Sequence, residues 1–254
     1  MKGKFKFTGE GGKLFCLLFV QGLLTCITFG IYSPWALKNI LAYFADNLTL
    51  DGKKFKFSGD GGDMLSLFLI QGLLTSITAG LYAPVAALNI RKYMMEKITL
   101  DGKAFSFDGD NACDFWCLNF IQGILINITA GIYYPWAMIN ITKNICERTT
   151  FEGKKFGITA DGGKLFSLYL GQTLLSIITF GIYTPWAIAK ITNYWVSSFT
   201  YGDEDKFSMD LQGGELFSLM VVHGAILTGL TLGIYYPWYV CKMYAYQAEK
   251  TEIK

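Results

Sequence analysis

All five prolines of this 254-residue chain fall at one position of an internal repeat: Pro34, Pro84, Pro135, Pro185 and Pro237. Each sits in the same phrase, which reads TFGIYSPW, TAGLYAPV, TAGIYYPW, TFGIYTPW and TLGIYYPW from the first copy to the last. Four of the six tryptophans follow these prolines directly (Trp35, Trp136, Trp186, Trp238), and Val85 takes that place in the second copy. Five copies of a unit of about fifty residues exclude an ordinary single globular core, because each unit must bury its apolar face against its neighbours. Upstream of the phrase lies a Gly pair (Gly11-Gly12, Gly61-Gly62, Gly162-Gly163, Gly213-Gly214), replaced by Asn111-Ala112 in the third copy. An apolar run connects the pair to the phrase, and a shorter amphipathic run follows it.

The units run approximately over 3–52, 53–102, 103–153, 154–205 and 206–254, as one five-repeat domain. Successive units join through Leu-Thr-Leu-Asp-Gly-Lys-Lys-Phe and its variants at 48–57, 98–107 and 149–158. Alternating apolar and polar residues around Asp-Gly or Glu-Gly predict β-hairpins. The fourth junction, FTYGDEDKFSM, is longer and more acidic. Residues 2–7 read as the second half of a hairpin and residues 251–254 as a first half. The expectation is an α+β membrane protein. Five helix–elbow–helix–β-hairpin repeats close into a pseudo-fivefold ring, and the termini pair to complete the fifth hairpin, leaving no open strand edge.

The membrane expectation rests on charge. No Lys, Arg, Asp or Glu occurs within 14–37, 64–90, 115–142, 165–189 or 216–241. A water-facing amphipathic helix carries a charge every turn or two, so uncharged windows of this length point to apolar surroundings. The Gly four residues before each Pro (Gly30, Gly80, Gly131, Gly181, Gly233) suits a left-handed helix end, and Pro suits the next helix's first turn. A first helix such as 14–29 would be about 24 Å long, somewhat short of the roughly 30 Å of a hydrocarbon core. Tyr and Trp at the elbow fit a bilayer interface. Lys and Arg gathered on the hairpin side place the hairpins and both termini in the cytoplasm.

Polar residues recur inside the apolar runs. Gln21, Gln71, Gln122 and Gln172 share one position, which His223 takes in the fifth copy, where one extra residue follows that a π-bulge could absorb. Thr25, Thr75, Ser176 and Thr228 share a second position, broken by Ile126; Thr28, Thr78, Thr129, Thr179 and Thr231 share a third. Spacings of three and four put these on one helix face. Two readings stand for that face: hydrogen bonding between helices, or a polar path at the centre of the ring. The second helix carries Lys38, Arg91, Lys143, Lys190 and Lys242, suited to lipid headgroups or to a basic vestibule for anions.

A net charge of +2 argues against nucleic acid as a partner. The six cysteines do not recur at matching repeat positions; Cys113 and Cys117 share a helix face, but nothing completes a metal site around them. With one His and no paired carboxylates in the apolar windows, no catalytic constellation, metal or cofactor is expected. The Thr-x-Gly-Ile-Tyr-x-Pro-Trp phrase, with Phe-x-Phe-x-Gly and Gly-Gly-x-Leu-Phe before it, resembles the YjgN-like family of bacterial inner-membrane proteins of unknown function. The resemblance runs over all five units and implies an integral inner-membrane protein, without a reaction or ligand. The function expected is a pore, channel or transporter-like element for an ion or small molecule. The alternative is a non-conducting scaffold or anionic-lipid-binding protein, with membrane lipids as partners.

Overall fold

The computed structural model describes residues 2–202 and 204–254. The first repeat runs β1 (Gly3–Phe7), α1 (Gly11–Ile27), α2 (Ser33–Asp46) and β2 (Leu48–Leu50). The second runs β3 (Lys53–Phe57), α3 (Gly61–Ile77), α4 (Ala83–Glu96) and β4 (Ile98–Leu100). In the third, the first strand is split into β5 (Lys103–Ala104) and β6 (Ser106–Phe107), followed by α5 (Ala112–Ile128), α6 (Tyr134–Arg148) and β7 (Thr149–Phe151). The fourth has β8 (Lys154–Ile158), α7 (Gly162–Ile178), α8 (Thr184–Ser197) and β9 (Phe199–Tyr201). In the fifth, β10 (Asp205–Met209) leads into a continuous helical run of α9 (Gly213–Ser218), a π-helix (Leu219–Leu227) and α10 (Thr228–Leu230). It ends with α11 (Tyr236–Glu249) and β11 (Thr251–Ile253). The chain is therefore α+β, with one β–α–α–β plan used five times.

Strands pair in two ways. Within a repeat the first and last strands are antiparallel neighbours, as in Phe5 opposite Leu50, Phe55 opposite Leu100, and Phe207 opposite Ile253. Between repeats the link is a two-residue turn with both residues left-handed: Asp51-Gly52, Asp101-Gly102 and Glu152-Gly153, with φ between 48° and 79°. That is the hairpin geometry an Asp-Gly pair favours. Asp203 of the fourth junction lies outside the described residues. β1 also pairs with β11, Gly3 opposite Ile253, so the two ends of the chain supply a junction that no turn provides.

Contacts divide the chain into two units, one of Met1–Val20, Asn47–Lys53 and Thr159–Lys254, the other of Gln21–Asp46 and Lys54–Ile158. In the first, Leu14, Leu50, Leu165, Tyr201, Leu216 and Ile253 are buried. In the second, Met64, Leu100, Phe115 and Phe151 take the equivalent places, and the Phe105 ring lies 4.5 Å from Phe151 and 6.2 Å from Phe156.

The Gly pair has a steric reason. A Cβ on Gly61 would lie 2.2 Å from Cδ1 of Trp35, one on Gly213 would lie 2.1 Å from Cδ1 of Trp186, and one on Gly11 would lie 2.4 Å from Cγ of Trp238. The indole of one repeat thus lies directly on the first helical residue of the next, and Trp238 returns that contact from the fifth repeat to the first. The exceptions match each other. The third-copy helix begins at Ala112, so the Gly pair aligns with Ala112-Cys113, and Asn111 is an extra residue with φ 55° ahead of it. Ala112 therefore stands at the start of the repeat that follows Val85, the one repeat without an indole after its proline. Trp116 takes the place of Phe15 and Phe217, whose rings pack tilted against Trp238 and Trp186 at 5.6 and 5.3 Å. Trp116 reaches back to the elbow of the second repeat, where its Nε1–H donates to the Leu81 carbonyl at 2.6 Å.

This joint makes a stability prediction. Gly213→Ala should lower stability by about 1–3 kcal/mol, the usual range for overpacking. The triple variant Gly213→Ala, Trp186→Val and Phe217→Trp, which copies the joint of Val85, Ala112 and Trp116, should recover most of that loss, as thermal melts in detergent would show.

Candidate functional site

Each first helix ends in the same hydrogen-bonded reversal. The amide of Gly30 donates to the Thr25 carbonyl at 2.8 Å, and the amide of Phe29 donates to the Cys26 carbonyl at 3.2 Å. That 6→1 and 5→2 pair is a Schellman ending. It repeats at Gly80, Gly131, Gly181 and Gly233. The sequence led us to expect glycine at the left-handed end residue, and here the structure corrects the expectation. The αL residue is the one before it: Phe29, Ala79, Ala130, Phe180 and Leu232, with φ of 49–50°, while the glycines follow at φ 87–91°. The reversal needs two successive positive φ angles. Glycine meets the wider one, which other residues scarcely reach, and a side-chain-bearing residue accepts the αL angle at a cost of about 1–2 kcal/mol.

The threonine just before this bend locks it. Thr28 Oγ1 donates to the Leu24 carbonyl at 2.8 Å and accepts from the amide of Tyr32 at 3.1 Å. Thr78, Thr129, Thr179 and Thr231 do the same in their repeats. The other hydroxyl position is also spent on backbone: Thr25, Thr75 and Ser176 donate to the carbonyl four residues back, of Gln21, Gln71 and Gln172. Thr228 donates to His223, five residues back, at 2.8 Å. That shift is the extra residue of the fifth copy, taken up in the π-helical stretch Leu219–Leu227.

The glutamines are buried and face the second helix of their own repeat. Asn39, Asn89 and Asn140 donate Nδ2 to Oε1 of Gln21, Gln71 and Gln122 at 2.9, 3.1 and 3.3 Å. The elbow tyrosine joins the same cluster, with Asn89 also reaching Tyr82 Oη at 3.3 Å. In the fourth and fifth repeats the Asn position holds lysine. Lys190 Nζ donates to Tyr183 Oη at 3.0 Å, and that hydroxyl donates to Gln172 Oε1 at 3.1 Å. Lys242 Nζ lies 3.2 Å from His223 Nε2, and His223 Nδ1 lies 2.9 Å from Tyr235 Oη. An ammonium only donates, so Nε2 must accept and Nδ1 must carry the imidazole proton. Sequence reading missed the Asn and Tyr partners, although Asn39, Asn89 and Asn140 recur five residues after proline.

The five basic residues therefore divide. Lys190 and Lys242 enter the polar clusters. The amides of Asp63 and Gly62 hold the Asp60 carboxyl below its usual range and Lys38 adds to that pull, while Arg91 lies near Cys146, whose thiol burial pushes up to about 11. Lys143 is exposed on α6. Around the elbows the surface is apolar and open: Phe29 and Phe180 are each 97% exposed, Leu232 is 94% exposed, and Ile31, Leu81, Ile132, Ile182 and Ile234 are exposed beside them. Gly213–Leu230 is a helix long and apolar enough to cross a membrane; Gly11–Ile27, Gly61–Ile77 and Ala112–Ile128 are apolar but one residue shorter. No group of His, Cys, Asp and Glu able to hold a metal ion occurs among the described residues.

The Gln–Asn bond can be measured. Asn39→Leu leaves the buried Gln21 carbonyl without its donor and should cost about 1–3 kcal/mol, while Gln21→Leu combined with Asn39→Leu should be nearly neutral. A double-mutant cycle on thermal melts reads the difference.

Comparison with known proteins adds a family and a location. Over 47 residues the chain is 51% identical to "Inner membrane protein YjgN" of Salmonella typhimurium strain LT2, a match covering 18% of this chain and 12% of that protein. Over 50 residues it is 42% identical to the protein of the same name from Escherichia coli K12, covering 20% and 13%. The matches therefore span about an eighth of the length of these relatives, and their names support a membrane protein. No solved structure matches the chain. The profile described as "Bacterial protein of unknown function (DUF898)" matches residues 2–74, 53–113 and 188–254, more than half of the sequence. The chain belongs to that family.

Proposed function

We propose that this is a bacterial inner-membrane scaffold whose five repeats close into a pseudo-fivefold ring. Its helical hairpins dip into the bilayer from the cytoplasmic face without forming a conducting pore. One observation carries the reading: the residues at the tips of the elbows are apolar and almost wholly exposed, with Phe29, Phe180 and Leu232 held there in a strained backbone. A loop emerging into water on the far side would carry polar residues at its tip. An apolar tip with no charge nearby is at home only where the surroundings are lipid.

Helix length supports the same depth. In four of the five repeats the first helix has seventeen residues, about 25 Å, less than the roughly 30 Å of a hydrocarbon core. The hairpin turns at the opposite end, with Lys53, Lys54, Lys154 and Lys155, suit the cytoplasmic leaflet, where they would meet lipid phosphates. Ring closure is supported by the β1–β11 pairing and by Trp238 lying on Gly11, which join the fifth repeat to the first. The polar path is the competing reading. Against it stand the threonine hydroxyls bonded to their own backbone and the glutamines bonded within their own repeats, which leave the stripe few groups to offer a passing solute.

Two assays separate the readings. In a cysteine-free background, Phe29→Cys and Phe180→Cys should resist a membrane-impermeant maleimide applied outside spheroplasts, and Lys53→Cys should label only after lysis. Proteoliposomes should pass ions at the background rate. Elbow labelling from outside, together with flux that Gln71→Leu abolishes, would establish the pore instead.

A further inference from the structure

We infer that the groove between α7 and α8 binds one anionic phospholipid, with the phosphate on Lys190 beside Tyr183 and an acyl chain laid toward the elbow. This deepens the membrane reading above and rests on it. The groove measures about 550 Å³, within the span of ligand sites. Ile177, Ile188 and Phe180 form its open apolar side, and Thr173, Ser176 and the buried Gln172 form its inner wall.

Lys190 lies beside this groove, joined to its Gln172 wall through the Tyr183 hydroxyl, and its charge is not required by the fold. In the first three repeats the equivalent residue is neutral asparagine, which already satisfies the buried glutamine. In the fourth, Tyr183 Oη meets that need, and Lys190 Nζ reaches the same hydroxyl from the exposed side. One ammonium N–H is used there and two remain. Among the described residues no carboxylate lies within ion-pair distance of Lys190. A cation resting on the hydroxyl and ring of Tyr183 with no carboxylate beside it is costly next to an apolar wall, and an anion attached to a hydrocarbon chain answers both features at once. The fifth repeat differs at both points. Its Lys242 is turned to His223, and Tyr239 stands where the fourth repeat has Ala187, with its ring 3.1 Å from where a Cβ on Gly224 would lie.

The test is native mass spectrometry of the full chain in mild detergent, offered phosphatidylglycerol or phosphatidylcholine with the same acyl chains. Phosphatidylglycerol should be retained preferentially. Lys190→Asn, which installs the residue of the first three repeats, should reduce that preference about fivefold, as expected for one basic group at a lipid phosphate. Ala187→Tyr should reduce retention of both lipids by filling the groove. Unchanged preference in Lys190→Asn, or unchanged retention in Ala187→Tyr, would overturn the site. Failure of the membrane reading shows up elsewhere, as elbow labelling from outside spheroplasts, so the two can fall separately.

Discussion

The approach of an indole ring to a bare backbone at the head of the next helix governs how the repeats assemble. A Cβ at Gly61, Gly213 or Gly11 would fall 2.1–2.4 Å from the ring, so each joint depends on a missing side chain. Close packing of this kind tolerates neither a void nor an added methyl, which is why a change on one side demands an answer on the other. Val85, Ala112 and Trp116 are such an answer: a small residue for the indole, a methyl where glycine stood, and a new indole one turn on. The joints at Gly61, Gly213 and Gly11 share one chemistry, and the pairing of β1 with β11 lies beside the last of them.

The elbow solves a different problem. Reversing a helix within a few residues frees carbonyls at its end and amides at the start of the next helix, and in lipid neither can turn to water. The Schellman bonds take up the carbonyls of the last turn, and the threonine hydroxyl accepts the tyrosine amide at the start of the second helix. The reversal thus satisfies much of its own polarity and can carry Phe or Leu at its tip. Backbone strain at Phe29, Phe180 and Leu232 is tolerated because these bonds over-determine the turn.

Much of this was legible in the sequence. The prolines marked the repeat, Asp-Gly marked the hairpins, and the extra residue after His223 marked the π-helical stretch, because each is a local backbone demand that only certain residues meet. What could not be read was pairing across distance. Gln21 announces a buried amide, but only the folded hairpin brings Asn39 within 2.9 Å of it. Val85 and Asn111-Ala112 looked like separate lapses until the register of α5 placed Ala112 at the head of the repeat that Val85 precedes. Glycine four before proline pointed to a left-handed bend without saying that the bend needs two positive φ angles and that the αL one belongs to its neighbour.

The central claim is that the elbows end inside lipid. Its most direct test is a nitroxide attached at position 180 in the reconstituted protein, with collision rates measured against oxygen and against a water-soluble nickel chelate. The account predicts high oxygen and low nickel accessibility at the elbow, with the reverse at position 53 in the hairpin turn. High nickel accessibility at both positions would place both ends of the helical hairpins in water and contradict it.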